Sequence, residues 1–310
     1  MLRILSLLLT VTLMELAVLI LPLHALEKDT QPTGWQSGKH ALTIDQRVRT
    51  FLLDLPAKVT SETPMIFVFH GTGGTAEQMQ KDFGFRSLFN KHGFITVYPQ
   101  ATNETNPDKT NQFNVDYAFQ KDTDVDDVGF VRQLFEGLSN DFNSNRQAVF
   151  ATGFSNGADM CYYLASQEKP FVSAIAPVAG TVMVSWGRNL KPAGQTSILA
   201  INSRDDTITL WNGDLENKDG WGAYYGIVAV TQMWAKGLNL SMDKQVDPAG
   251  LPIRDGLILH RWQNQNKDVE LLSYQFEKLG HAWPEYLGDR NVPMAEEIWR
   301  FFDRHRSNDK

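Results

Sequence analysis

Apolar residues gather into short continuous runs separated by stretches with helical spacing. Met65-Ile-Phe-Val-Phe69 is unbroken by polar positions, as expected of a strand buried on both faces of a parallel sheet. Phe94–Tyr98, Ala148–Ala151, Val172–Val178 and Ser197–Ile201 are further short, mostly apolar runs, and Leu257–Trp262 and Val269–Phe276 supply two late strands. Arg47–Leu55 alternates instead, which predicts an edge or hairpin strand stopped by Pro56. Between the runs, Ala76–Asn90, the stretch carrying Val128, Val131, Phe135 and Leu138, Ala158–Ala165, Ile227–Leu238 and Met294–His305 read as helices with an apolar face. Asp126 and Asp127 open the second of these as helix caps. Gln100–Thr123 has no period and reads as a long polar surface loop, and Thr207–Tyr225 as an aromatic, Gly-rich one. Strands and helices alternate without repeats or a linker, which predicts one α/β domain over residues 41–310.

The N-terminus departs from this pattern. Arg3 precedes an apolar stretch from Ile4 to Leu23, then Leu23-His24-Ala25 and the polar Glu27-Lys28-Asp29. This is expected to be a secretory signal, residues 1–25, cut after Ala25 and followed by a polar leader over 26–40. The competing reading is a retained membrane anchor, against which Glu15 stands. The expectation is therefore a secreted or periplasmic protein without stable membrane association. Cys161 is the only cysteine, so no intrachain disulfide can form, and the residue reads as a buried small apolar group.

With 29 basic against 36 acidic residues the chain carries a net charge of −7 and no basic run that would follow a phosphate backbone. Nucleic acid is excluded as an expected partner. No histidine pair has metal-ligand spacing, so neither a metal nor another cofactor is expected.

Gly153-Phe-Ser155-Asn-Gly157 sits where the Ala148–Ala151 run meets the helix at Ala158. It reads as a nucleophile elbow, a tight strand-to-helix turn that lifts the Ser155 hydroxyl clear of the sheet. Hydrolases built on this elbow take their acid and then their histidine from later in the chain. His260 lies within an apolar strand and His305 in the basic end of the last helix, whereas His281 follows a strand in a Gly-His-Ala-Trp-Pro loop and is the preferred base. Asp205 and Asp206 both follow the Ser197–Ile201 strand, where loops of parallel sheets gather functional groups. The oxyanion donors are expected to be the backbone N–H of Asn156 and that of Thr72, in the Gly-rich loop after Phe69. Trp211, Trp221, Tyr224, Tyr225 and Trp283 are expected to line the substrate pocket.

Seven segments, in order along the chain, resemble the extracellular polyhydroxybutyrate depolymerase and feruloyl esterase-like branch of the α/β-hydrolases, which includes acetyl xylan esterases. They are Arg49-Thr-Phe-Leu-Leu-Asp-Leu-Pro56, His70-Gly-Thr-Gly-Gly74, Gly93-Phe-Ile-Thr-Val-Tyr-Pro99, Val125-Asp-Asp-Val-Gly-Phe130, Ala151-Thr-Gly-Phe-Ser-Asn-Gly157, Ala176-Pro-Val-Ala-Gly180 and Gly280-His-Ala-Trp-Pro284. The resemblance implies an α/β-hydrolase fold, a mostly parallel central sheet with helices on both faces. It also implies a serine esterase with Ser155, Asp206 and His281 as its triad, and it favours Asp206 over Asp205. Soluble esters or short oligoesters are the expected substrates, with a feruloyl or acetyl xylan esterase, an acyltransferase and a catalytically silent binding protein as alternatives. Two departures stand out: Asn202-Ser203-Arg204 replaces a usual His-Gly-Thr before the acid, and the cysteines common in the family are missing.

Overall fold

Why the apolar runs become strands is visible in their burial: every residue of Met65–Phe69 and of Ile95–Pro99 is inaccessible to solvent. The computed structural model describes residues 34–192, 195–242, 257–287 and 292–306. The expected signal, its cleavage point and most of the leader lie outside the described residues.

The strands are β1 (Gly38–Ile44), β2 (Arg47–Asp54), β3 (Met65–Phe69), β4 (Ile95–Pro99), β5 (Val149–Phe154), β6 (Ala174–Val178), β7 (Ser197–Ser203), β8 (Gly213–Asp214), β9 (Tyr224–Tyr225), β10 (Ser241–Met242), β11 (Ile258–Gln263) and β12 (Glu270–Phe276). All except β8 and β9, which pair with each other, form one sheet in the order β1-β2-β4-β3-β5-β6-β7-β12-β11-β10. From β4 to β12 the pairings are parallel, and antiparallel strands close both edges.

β1 begins inside the stretch expected to be leader. Its exposed and half-covered residues alternate, so it lacks the apolar signature that marks the inner strands. Asp45 and Gln46, both at positive φ, turn it back into β2, making the expected hairpin.

The helices are α1 (Ala76–Asp82), α2 (Phe89–His92), α3 (Asp127–Phe142), α4 (Asn156–Ala165), α5 (Val184–Gly187), α6 (Ile227–Gly237) and α7 (Met294–Arg304). Alternate side chains of each inner strand point to opposite faces. Met65, Phe67 and Phe69 therefore join a core with residues of α3, α4 and α6, including Phe130, Met160 and Trp234. Ile66 and Val68 join another with residues of α1 and α7, including Met79, Ile298 and Phe302. Cys161 is fully buried in the first core, as expected.

Two local expectations change. Asp126 caps α3 by accepting the Gly129 N–H at 2.7 Å, but Asp127 is buried and paired with Arg49, whose guanidinium lies 4.1 Å above the Phe130 ring. Asp127 also accepts the Asn114 N–H at 2.6 Å, so it ties β2, α3 and the preceding loop together. That loop, Gln100–Thr123, is not a surface loop along its whole length, for Gln112, Phe113, Val115, Tyr117 and Gln120 are buried. Its buried polar groups satisfy one another: Gln120 Oε1 accepts the N–H groups of Val115 and Tyr117, and Gln120 Nε2 donates to Phe113 O. A polar composition is compatible with burial when side-chain amides replace water in this way.

Candidate active site

Ser155 occupies the turn between β5 and α4 with φ 56° and ψ −122°, a conformation L-residues seldom adopt. The flanking glycines permit it. A Cβ on Gly157 would lie 2.3 Å from Phe69 O, and one on Gly153 2.4 Å from Gly157 O, so only glycine allows β5, α4 and the end of β3 to approach this closely. The turn thereby presents the Ser155 side chain at the C-terminal edge of the sheet, where the loops after β3, β7 and β12 also emerge.

The loop after β12 carries His281, whose Nε2 lies 3.0 Å from Ser155 Oγ and whose Nδ1 lies 2.8 Å from Asp206 Oδ2. Since a carboxylate can only accept, the geometry requires Nδ1–H to donate to Asp206, which leaves Nε2 to accept the Ser155 O–H. Asp206, in the turn after β7, is buried, and its Oδ1 accepts the N–H groups of Ile208 and Thr209 at 2.8 and 2.9 Å. Its orientation is thus fixed independently of the imidazole. Phe154 packs against the ring with 5.0 Å between centroids.

Asp205 has different work. Its Oδ1 accepts the Ser203 hydroxyl at 2.6 Å and the N–H groups of Leu279 and Gly280 at 3.1 and 2.8 Å, anchoring the backbone just before His281. The hydrogen bond from Ser203 and those from the backbone hold its carboxyl below the usual range. His305 instead meets Glu270 and Ser197, at 3.1 and 3.2 Å, and Ser197 opens β7 at the end opposite Asp206. His260 lies within β11.

Gly71 brings the β3 loop against the elbow: a Cβ there would lie 3.2 Å from Ser155 Cβ. Gly73 N–H is consumed by Asn111 O at 2.8 Å and Gly74 N–H by Gly71 O at 3.0 Å. Among the described residues neither Thr72 N–H nor Asn156 N–H donates to a protein acceptor, so both are available to a bound oxyanion. Side chains hold these two residues. Gln112 Nε2 donates to Thr72 Oγ1 at 2.7 Å, and the Asn156 amide exchanges two hydrogen bonds with the Phe113 backbone, at 2.8 and 3.1 Å.

His70, at the foot of the same loop, is buried, and desolvation drives its pKa down to about 4. In its neutral form Nδ1–H donates to Gly71 O at 2.7 Å while Nε2 accepts the Ala101 N–H at 3.1 Å. It is a brace for the loop, not a second base.

Next to Ser155 is a cavity of about 30 Å³ lined by Tyr117, Asp159, Thr181, Met183, Ile208, Thr209, Trp221 and Tyr224. Of the five aromatics expected to line a pocket, Trp221 and Tyr224 border this cavity and Trp211, Tyr225 and Trp283 do not. Trp211 stacks under Arg204, at 4.8 Å from ring centroid to guanidinium; Tyr225 packs on the core side, where a Cβ at Gly187 would meet it; and Trp283 packs edge-on to Phe83 at 4.9 Å. Gly-rich segments turn often enough that neighbouring aromatics face opposite ways, which composition does not reveal.

Sequence reasoning passed over Tyr117 and Asp159. Tyr117 O–H donates to Asp159 Oδ2 at 2.5 Å, Thr181 N–H donates to Asp159 Oδ1 at 2.7 Å, and burial pushes the Asp159 carboxyl up to about 7. A signal for Asp159 was present, since it is the one acid in the otherwise apolar stretch that follows the elbow. Among the described residues no group of three or more His, Cys, Asp or Glu is placed to hold a metal ion.

No family model matches the chain. It is 26% identical over 218 residues to poly(3-hydroxyalkanoate) depolymerase C of Paucimonas lemoignei, covering 70% of this chain and 46% of that protein. It is 29% identical over 131 residues to an acetylxylan esterase of Coprinopsis cinerea, covering 41% of this chain and 34% of that one. The matches therefore span less than half the length of these curated relatives. Among solved structures, an acetyl xylan esterase from Aspergillus awamori superposes with a TM-score of 0.60 at 13% identity, over 86% of this chain and 99% of that one. The fold is that of the α/β-hydrolases, and the relatives agree with the depolymerase and feruloyl esterase-like branch that the motifs resemble.

Proposed function

We propose that this chain is an exported serine carboxylesterase in which Ser155 is the nucleophile, His281 the general base and acid, and Asp206 the group that orients and stabilises the imidazolium. The observation that carries the reading is the hydrogen-bonded line Ser155–His281–Asp206, with separations of 3.0 and 2.8 Å. His281 takes the Ser155 proton as Oγ attacks the ester carbonyl and returns it to the leaving alcohol. The acyl-enzyme is then hydrolysed by water activated at the same Nε2. Backbone N–H groups of Thr72 and Asn156 receive the oxyanion in both halves of the reaction. Export rests on the apolar segment before residue 26. Among the described residues no helix is long and apolar enough to cross a membrane.

The substrates are soluble esters or short oligoesters. A cavity of about 30 Å³ beside the serine suits an acyl group of a few heavy atoms. That feature, together with the acetylxylan esterase relative, supports a second reading in which the acyl group is acetyl and the alcohol a sugar hydroxyl.

The test is hydrolysis of p-nitrophenyl acetate, butyrate and octanoate, methyl ferulate, a hydroxybutyrate oligomer and acetylated xylo-oligosaccharide by wild type and Ser155→Ala. Wild type is expected to cleave the short esters fastest, and the variant to lose on the order of a millionfold in turnover. Equal cleavage by both proteins would remove Ser155 as the nucleophile. Rates for xylo-oligosaccharide and hydroxybutyrate oligomer choose between the two substrate readings.

A further inference from the structure

The carboxyl of Asp159 is buried yet forms part of the cavity wall beside Ser155. It lies one helical turn after the serine, and its N–H donates to Ser155 O at 3.0 Å. A side chain four residues on in a helix leans back over the preceding turn, toward the serine. Nothing in the proposed ester chemistry uses it.

We propose that Asp159 is a specificity-determining residue that accepts a hydrogen bond from a hydroxyl on the substrate's acyl group. This rests on the esterase reading of the site and deepens it. Each carboxylate oxygen can accept two hydrogen bonds. Oδ1 has one, from Thr181 N–H, and Oδ2 has one, from Tyr117 O–H, so each retains a free acceptor position. Among the described residues that line the cavity none is cationic, and His281 beside Ser155 is the one positive influence on the carboxyl. The remaining walls, Met183, Ile208 and Trp221 among them, are mostly apolar, so a donor entering the cavity finds this carboxyl as its principal acceptor.

The cost of leaving that acceptor uncovered gives the discrimination. An unsubstituted acyl chain leaves the remaining acceptor positions of the buried Asp159 carboxyl unfilled, whereas a hydroxyl fills one of them with a hydrogen bond. Burial is what displaces the carboxyl upward to about 7, and a hydroxyl donor is expected to oppose that displacement.

Isosteric ester pairs separate this role from a purely structural one. Methyl glycolate matches methyl propionate in shape, and methyl 3-hydroxypropionate matches methyl butyrate, so each pair differs by hydroxyl against methyl. The ratio of kcat/KM within a pair is measured for wild type, Asp159→Asn and Tyr117→Phe, with folding checked by thermal melting. Intrinsic reactivity differences cancel between enzymes. The ratio in favour of the hydroxy ester is expected to fall about tenfold in Asp159→Asn for at least one pair. In Tyr117→Phe, which frees a further acceptor position on Oδ2, it is expected to hold or rise. If Asp159→Asn does not fold, a falling ratio in Tyr117→Phe would overturn the proposal. Turnover with the same ratio, within twofold, in wild type and folded Asp159→Asn would also overturn it while leaving the esterase reading intact. No turnover of any ester by wild type overturns the esterase reading and this inference with it.

Discussion

Asp205 holds the N–H of Gly280 at 2.8 Å, while its neighbour Asp206 holds the imidazole of the very next residue, His281, at the same distance. Two adjacent carboxylates thus divide one task. One fixes the backbone that delivers the histidine and the other fixes the ring.

Their substitutions are expected to behave differently. Asp206→Asn presents an amide where a carboxylate must accept Nδ1–H, which favours the wrong tautomer and lowers kcat by about 10⁴. Asp205→Asn keeps an acceptor oxygen for Gly280, so kcat should fall by less than about tenfold while KM changes little. Steady-state kinetics on a short p-nitrophenyl ester distinguishes the two, and equal losses would contradict the division of roles.

Gly157 and Gly71 should also differ. The Gly157→Ala methyl would meet Phe69 O, a backbone atom, at 2.3 Å, so the elbow must deform and stability should fall by about 1–3 kcal/mol or more. The Gly71→Ala methyl would meet Phe154 O and Ser155 Cβ at 3.1 and 3.2 Å, which a small loop shift relieves. That shift moves Thr72 N–H, so kcat should drop about tenfold with little change in Tm. Thermal melts run beside the kinetics test both.

Trp221 closes the cavity beside Ser155 from the Gly-rich segment, and its ring packs on Tyr117 at 5.4 Å between centroids. Trp221→Ala should enlarge the cavity and shift the optimum from acetate toward butyrate or longer esters. Each methylene gained by the pocket is worth about 1 kcal/mol, or several-fold in kcat/KM. An unchanged chain-length profile would show that the acyl group binds elsewhere.

Burial lowers the His70 pKa from about 6.5 to about 4. Because the folded value is the lower one, the unfolded chain binds more protons between the two, and stability rises with pH across that window. The contribution is complete above pH 6.5 and is lost as pH falls through 4. The loss amounts to roughly 3 kcal/mol once both values have been passed. Denaturant titrations from pH 7 to 4 should show this slope in wild type and a shallower one in His70→Gln, which keeps an acceptor for Ala101 N–H but does not titrate.

Arg49 and Asp127 are both buried. Asp127→Asn leaves the guanidinium without its counter-charge and should destabilise the protein by about 3–5 kcal/mol, although neither residue approaches Ser155 in sequence. Urea unfolding measures it. A loss under 1 kcal/mol would show that the pair is dispensable.

The inner strands were legible because burial on both faces demands short, mostly apolar runs, here bounded by turn residues. The elbow was legible because its positive φ and close approach demand glycine on either side of Ser155. β1 was missed for the converse reason, since an edge strand with one exposed face carries too few apolar residues to stand out.

What composition misjudged is equally physical. The Gln100–Thr123 loop looks solvated because it is polar, yet Gln120 and Asn156 meet its backbone hydrogen-bonding needs in the interior. Such pairings depend on partners up to 43 residues away, as between Phe113 and Asn156. Local pattern contains no trace of them.

By itself, then, the sequence determined the parallel strand order's raw material, the Ser155 turn and the short list of histidines and aspartates that could serve it, because each is set by local backbone geometry or by the burial of one short run. Only the tertiary structure shows that Asp206, which the resemblance already favoured, meets the imidazole while Asp205 meets the backbone before it, which of five aromatics face the cavity, and that Tyr117 and Asp159 meet there. Those outcomes depend on where a side chain points once segments as far apart as Ser155 and His281, 126 residues, have been brought together.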